Sequence, residues 1–551
     1  MPALAVAQPS SPASVPPTPP PSAAAAATEP SAAPVLAPGA GDAAQQDLDR
    51  RYQELLARQN ATEQRLHELE LQRATQPAVP AAVPNAPEAP LAGYSDKNFF
   101  LRDANDDFVL IPKGRLNVDT YTFLNRGDKP AGVVANSSAD PRPKNTIFLR
   151  RARFGVAGTI AKVIDFRFEA EFASLPTAGQ YATMTDASII YNSNPYLKFE
   201  LGQTYAPFSL ENQTSENYTD FMERSASVRF AVPLTRDTGA MIFGEAPHNI
   251  VRYHVGVFNG DGQNFKNLDN HPAYIGRVTV SPLGALPGHP AWLDEVWIGG
   301  SFWRQTATNI GGAAAPSTSA ATQGDLSSVT TQSGLSIFSS NYSNGVDASA
   351  NAIRSHLAPD GTTSKYALEL NVPLFERYGV RGEYLHQSIE LREYQDTSNM
   401  GAVGRARGAR GRFVGSGGYA EMYAWLGGDV HADHPGLYAS PHWKGYKAPP
   451  PVAWSVLLAA KYEHIGFDVE DLPTAASATG KATTDAGVGH YGLDIFELGA
   501  SLWYTRHSRL AANYVLNYLG AGHDRAASSE TKNLFYKKSE NELLFRWAVN
   551  Y

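Results

Sequence analysis

The chain has 551 residues, 43% hydrophobic and 11% aromatic, with 47 glycines and a mean hydropathy of -0.30. It lacks any uninterrupted apolar run of about 18 residues, which excludes a helical membrane protein, and its lack of cysteine excludes disulfide scaffolds, thiolate metal sites and cysteine nucleophiles. The net charge is -8 and neither half is basic, so nucleic-acid binding has no electrostatic footprint.

The opening MPALAVAQPS lacks a charged n-region, but Ala5-Val6-Ala7 has the small-x-small form of a signal-peptidase site. Residues 1–7 are therefore read as the tail of an export signal. Residues 1–41 are Pro, Ala and Ser with little that can be buried, and are expected to be disordered. Residues 42–73 change to helix formers. Leu48, Tyr52, Leu55, Gln59, Thr62, Leu66, Leu69 and Arg73 fall at alternating spacings of four and three, a heptad a/d series that predicts a coiled-coil helix. Residues 74–107 are read as a linker, Pro/Ala-rich at first.

From residue 108 to residue 551 the pattern is period two. Phe166, Phe168, Ala170 and Phe172 alternate with Arg167, Glu169 and Glu171, and the same phase recurs around Lys198, Arg252, Glu369 and Asn513. Segments of about ten residues with one apolar and one charged face predict an all-β transmembrane barrel of about 16 antiparallel strands. Short links such as Ser193-Asn194-Pro195 and Arg506-His507-Ser508 alternate with long connections at 206–236, 307–363 and 393–415, as turns and external loops do in such barrels. Residues 427–450 form an unusually long connection on the turn side. The chain ends Leu543, Phe545, Trp547, Val549, Tyr551, an apolar face running to a terminal aromatic.

The long 206–236 segment is the natural constriction, since its backbone can be hydrated inside a watery lumen. It carries the acidic Glu211, Asp220 and Glu223 and the basic Arg224, Arg229 and Arg236. Alternation also turns Arg153, Arg167, Lys198, Arg252 and Arg277 toward the lumen. Residues 308–350 read as an external loop with little chemistry, and the run Arg405, Arg407, Arg410, Arg412 as a solvated loop at the outer mouth.

The motif GQTYAPFSLENQTSENYTDFMERS, beginning at Gly202, closely resembles the phosphate-selective porin O and P family, together with FLRRARFGVAG (148–158) and DFRFEAEFA (165–173). GGYAEMYAWLGGD, WSVLLAAKYEH and the terminal NELLFRWAVNY continue the likeness over residues 108–551. The resemblance implies a homotrimer of sixteen-stranded barrels, each with its own pore narrowed by inward-folded loops. It also implies that Arg150 and Arg151, at the family's paired-arginine position, lie on an anion pathway whose fixed guanidinium donors replace the water an anion sheds. Parity alone points them to opposite faces unless a bulge intervenes. Acidic Glu169, Glu171 and Glu200 share the inward face.

The expected function is passive diffusion of small hydrophilic solutes or ions, with anions or phosphate as candidate solutes, across the outer membrane of a Gram-negative bacterium. The alternative is a structural anchor that tethers the envelope through its coiled coil, held in the periplasm. Outer-membrane lipid and lipopolysaccharide are the expected surroundings. No HExxH or GxSxG motif is present, so no enzyme and no cofactor are expected. No metal is expected either, although a site from His431, His434 and His442 is conceivable.

Overall fold

The computed structural model describes residues 50–65, 90–95, 98–124, 144–173, 182–307 except 234 and 268, parts of 326–346, 352–396, 405–428, 436, 441–447, 453–471, 489–519 and 539–551. The chain divides into two units, residues 1–88 and 89–551. In the first, residues 50–65 form helix α1, with Tyr52 and Leu55 exposed. Leu48, Leu66, Leu69 and Arg73 of the heptad series lie outside the described residues.

The second unit is a closed barrel. Its strands are β1 (Phe108–Phe123), β2 (Thr146–Ile160), β3 (Ile164–Glu171), β4 (Thr183–Asn194), β5 (Leu197–Tyr205), β6 (Arg236–Glu245), β7 (Val251–Phe258) and β8 (Ala273–Val280). They continue with β9 (Trp297–Ala307), β10 (Ala352–Leu374), β11 (Tyr378–Asp396), β12 (Arg405–Gly427), β13 (Trp454–Glu470), β14 (Gly489–Tyr504), β15 (Ser508–Leu519) and β16 (Ser539–Asn550). Each pairs antiparallel with the next, and β16 pairs with β1 from Glu542↔Phe123 to Asn550↔Arg115, completing the ring. At the seam's end Tyr551 exchanges two backbone hydrogen bonds with Gly114, at 2.9 and 3.1 Å. The sixteen-stranded antiparallel barrel expected from period-two alternation is thus observed.

Lipid dictates which face is apolar. Outward residues of β13 and β14 include Leu458, Leu498 and Leu502 between an inner ring with Trp454, Tyr504 and Trp547 and an outer one with Tyr366, Tyr384, Tyr462 and Tyr518, all exposed. Trp454 to Tyr462 spans about 27 Å along the strand, or about 21 Å along the membrane normal at a tilt of about 40°, most of the height of an apolar band about 25 Å tall between aromatic girdles. Inward residues on the same strands are buried and charged, Lys461, Glu463 and Glu497 among them.

Three features differ from the sequence reading. Within the expected 74–107 linker, Ala92–Ser95 and Asn98–Arg102 form a hairpin that adds to β1 through Leu101↔Leu110, because Phe100 is buried there against Trp443 and Tyr94 stands against His507. Residues 405–412 belong to β12, not to a loop: the β11–β12 ladder runs on to Asp396↔Arg405, and Arg412 pairs with Glu470 on β13 at 2.9 Å. Within the 308–350 segment, read as an external loop, the described Val329–Thr330 and Ser336–Phe338 lie inside: they form a small ladder whose Ile337 and Phe338 are buried, with Phe338 against Phe413, Phe467 and Tyr491.

Leu458→Arg places a cation at mid-depth on the lipid face and should destabilise the barrel by about 2–4 kcal/mol, read as a lower urea midpoint for the protein refolded in vesicles. An unchanged midpoint would mean that this face does not meet lipid.

Candidate functional site

The site is built on the connection from β5 to β6. Gly202 adopts φ +132°, and a Cβ there would lie 2.2 Å from the Ala187 carbonyl, so the GQTY strand end that leads into the loop requires glycine. Residues 206–235 then enter the lumen and carry two short helices, α2 (Leu210–Gln213) and α3 (Ala226–Ala231). The backbone N–H groups of Leu210 and Glu211 each donate to Glu383 of β11 at 2.8 Å, and Ser227 N–H donates to Glu463 of β13 at 3.2 Å. These helix starts carry amides that no helical carbonyl accepts, so a carboxylate is their natural partner. On the other side Arg509 donates to the Thr219 and Asp220 carbonyls at 2.8 Å, and Arg546 donates to that of Met222. The inward constriction expected for 206–236 is where the structure places this loop.

Arg150 and Arg151 both face inward. The β1–β2 register passes from Asn117↔Arg151 to Val118↔Leu149, leaving Arg150 as the extra residue of a bulge. Upstream of it the even residues turn in, and downstream the odd ones do. Arg150 meets Glu223 with two hydrogen bonds, Nε–Oε1 2.9 Å and Nη2–Oε2 2.7 Å. Glu223 also accepts from Arg546 at 2.6 Å, and Arg546 holds Asp119 at 2.7 and 2.8 Å.

Glu216 is the hub of the loop. Its carboxylate lies 2.8 Å from Arg224, 2.9 Å from Arg115, 3.2 Å from Arg153 and 3.3 Å from Arg151. Glu171 and Glu169 take further contacts from Arg153 at 2.7 and 3.3 Å. Burial would raise the Glu216 and Glu223 carboxyls, but the guanidiniums outweigh it and hold both below the usual carboxylate range. In this cluster six guanidiniums (Arg115, Arg150, Arg151, Arg153, Arg224, Arg546) face five carboxylates (Asp119, Glu169, Glu171, Glu216, Glu223). The net charge is one positive.

The opposite wall is acidic and sealed. Glu369, Glu383, Glu421, Glu463 and Glu497 are at most 6% exposed beneath the loop, with Lys461 3.0 Å from both Glu463 and Glu497, and Arg381 3.3 Å from Glu421. Gln332 of the external segment reaches in to donate to Glu497 at 2.7 Å. Water instead reaches Arg150 (26%), Arg151 (22%), Glu169 (20%) and Glu216 (16%). The solvated edge of the loop is therefore a mixed Arg/Glu surface beside β2 and β3.

Every other expected pathway cation faces inward, mostly already paired. Arg167 is 3.4 Å from Glu200, Lys198 3.5 Å from Glu245, and Arg252 3.1 Å from Glu295. Arg236 grips Asp186 at 3.1 and 3.2 Å and lies over the Tyr205 ring. Arg277 bonds Glu369 at 2.8 Å and the Gly436 carbonyl at 2.7 Å. Among the described residues the Arg229 Nε and Nη2 find no partner. Of the expected acidic residues, Asp220 lies 3.2 Å from Arg381 without hydrogen-bond geometry, and Glu211 accepts from Ser225 N–H at 2.7 Å. Burial pushes Glu211 up to about 7, against the pull of Lys461.

In the long turn-side connection, the described Gly436 and His442 reach inward. Gly436 N–H donates to Thr214 Oγ1 of the luminal loop at 2.8 Å. His442 Nδ1 lies 3.0 Å from Asp165, and His431 and His434 lie outside the described residues.

Sequence reasoning missed Glu216, Arg115, Asp119 and Arg546. The last three were available from alternation in GRLNVDTYTF and NELLFRWAVNY, where they share the inward phase. Glu216 sits in a loop without periodicity, and nothing but its place in the quoted motif marks it.

A closed sixteen-stranded barrel with an apolar belt, a charged lumen and a loop folded across it defines an outer-membrane-type channel barrel. Residues 135–328 match the model of the family described as phosphate-selective porin O and P, which covers the FLRRARFGVAG strand and the whole luminal loop. No curated protein matches the chain. Among solved structures, outer-membrane expressed OmpT of Vibrio cholerae aligns with a TM-score of 0.43 at 11% identity, covering 82% of this chain and 100% of its own. The outer membrane channel DcaP of Acinetobacter baumannii aligns at 0.38 and 11%, covering 84% and 100%.

Two predictions follow from the loop's carboxylates. Glu211 binds a proton more tightly folded than unfolded, so its stabilising contribution is full below about pH 4.5 and is lost as pH rises through about 7. Glu211→Gln should therefore stabilise the fold at pH 8 more than at pH 5, by up to about 3 kcal/mol, read as a larger rise in the thermal midpoint of the folded band at pH 8; equal shifts at both pH values would contradict the assignment. Glu216→Gln removes the hub charge, and since a unit charge at about 4 Å in water is worth about 1 kcal/mol, favouring potassium and disfavouring chloride alike, the chloride-to-potassium permeability ratio should rise by up to about thirtyfold. Zero-current potentials in a KCl gradient measure it.

Proposed function

We propose that the chain is an outer-membrane porin through which small hydrophilic solutes and ions diffuse passively, with a weak preference for anions. The reading rests on one observation: the water-exposed charges of the constriction, Arg150, Arg151, Glu169 and Glu216, are arginines and carboxylates already engaged by opposite charges. A dedicated phosphate channel would need several guanidinium donors left for the dehydrated anion. Here Glu223 takes two donors of Arg150, and Glu216 draws on Arg151, Arg153, Arg115 and Arg224. The residual positive charge favours anions modestly, and no bond is made or broken. The pathway residues are proposed to be Arg150 and Arg151 with Glu216, while Arg167, Arg236 and Arg277 act by setting the shape and field of the wall.

The assembly proposed is a homotrimer in the lipopolysaccharide-bearing outer membrane. Tyr52 and Leu55, both a/d positions of the helix at residues 50–65, are 61% and 64% exposed in the single chain, as residues awaiting partner helices would be.

Planar-bilayer recording of the purified protein tests this. Large conductance steps grouped in threes, weakly anion-selective and insensitive to millimolar phosphate, are expected. Small steps blocked by phosphate would replace this reading with a specific phosphate channel, and absence of conductance would leave the barrel as an anchor for its N-terminal helix.

A further inference from the structure

We propose that the turn end of the barrel carries a site for a divalent transition-metal ion of the zinc class, formed by His248, His289 and Asp294. Nothing in the transport reading uses these residues, and no motif in the sequence announces them, because they come from two different connections. His248 lies in the short helical turn Pro247–Asn249 between β6 and β7; His289 and Asp294 lie between β8 and β9, Asp294 in Ala291–Glu295. Gly284 presses the two connections together, since a Cβ on it would meet the His248 carbonyl at 2.5 Å and Asp294 Oδ1 at 3.1 Å.

The ligand atoms of the three side chains lie within 4.8 Å of one another. His289 Nε2 is 2.6 Å from Asp294 Oδ1, and His248 Nδ1 is 3.6 Å from Asp294 Oδ2. The second separation is too long for a hydrogen bond, yet close to the spacing of about 3.3 Å between two ligands on one tetrahedral ion with bonds near 2.0–2.1 Å. The two imidazoles stand edge to face, with centroids 5.6 Å apart at 72°, so neither ring blocks the space between their nitrogens.

Two details go beyond a simple His–Asp pair. His289 Nδ1 meets the Leu286 carbonyl, the arrangement in which a backbone acceptor fixes a metal-binding imidazole so that Nε2 faces the ion. His248 holds φ +55° and ψ +24°, a left-handed conformation that non-glycine residues rarely adopt and that gathers at functional sites. Glu295, next to Asp294, is engaged by Arg252 and does not join the set. Two imidazoles and one carboxylate suit Zn2+ and its neighbours in the Irving–Williams order, not Ca2+ or Mg2+, which take oxygen ligands. Three protein ligands leave a further position for water. A bound ion would staple the β6–β7 and β8–β9 connections together.

The test uses the full chain in detergent, stripped with chelator and titrated calorimetrically with Zn2+, with Co2+ absorption in the visible as a second readout. Wild type should bind one ion per protomer at this site and give a tetrahedral Co2+ spectrum. His248→Ala and Asp294→Asn should lose that ion or bind it at least about tenfold more weakly. His248 is 62% exposed, so its variant should keep the heat-shifted folded band. No binding by wild type at millimolar Zn2+, or the same stoichiometry and affinity in both variants, would overturn the proposal.

Discussion

In lipid, every backbone N–H and C=O of a spanning strand must find a partner within the protein, and for strands the solution is closure. The seam between β16 and β1, carried to its end by Tyr551 on Gly114, is where this chain meets that demand. Closure then fixes two faces for every strand. One must be apolar, and Leu458, Phe545 and Trp547 occupy it; the other encloses water and can hold charge. The buried arginines and glutamates of the wall are consequences of this enclosure, and they in turn need partners, because an unpaired charge in so confined a space is costly.

The luminal loop answers both walls at once. Toward β16, β1 and β2 it offers carboxylates, Glu223 and Glu216, to a wall rich in arginine. Toward β11 and β13 it offers the amides at the starts of α2 and α3 to Glu383 and Glu463. The match is directional, since reversing the loop would set carboxylate against carboxylate. Electrostatics therefore orient a segment whose short helices could not be stable by themselves. Gly436, arriving from the turn side, binds Thr214 and Arg277 and braces the same loop from below.

Alternation made the barrel legible, because lipid enforces period two on every spanning strand. It carried inward placement correctly for Arg153, Arg167, Lys198, Arg252 and Arg277. It was ambiguous at Arg150, where a single bulged residue reverses parity and brings neighbouring arginines to one side. It is blind to connections: the inward placement of Gln332, Phe338, Gly436 and His442 depends on surfaces assembled from distant strands, as in the packing of Phe338 on Phe413, Phe467 and Tyr491. The 405–412 run reads as a loop because Gly and Arg dominate it. Strands extending past the membrane into water no longer need an apolar face, so their pairing leaves no alternation to read.

The partition of charge bears on how such a passage discriminates. The acidic wall is sealed beneath the loop, so its carboxylates act on a solute mainly through the loop's own dipoles. The solvated edge carries Arg150 and Arg151 beside Glu216 and Glu169, pairs separated by 2.7–3.7 Å across the cluster. At distances large compared with that separation the fields of a pair cancel, and salt screens the remainder within about 8–10 Å. A solute approaching the mouth thus meets a weak field, and one inside the constriction meets a strong but alternating one. Discrimination by size and by complementary dipoles follows from that arrangement more readily than discrimination by net charge. In the proposed reading, the cluster's excess of one positive charge would set the sign of any bias, and the carboxylates that pair its arginines would keep that bias small.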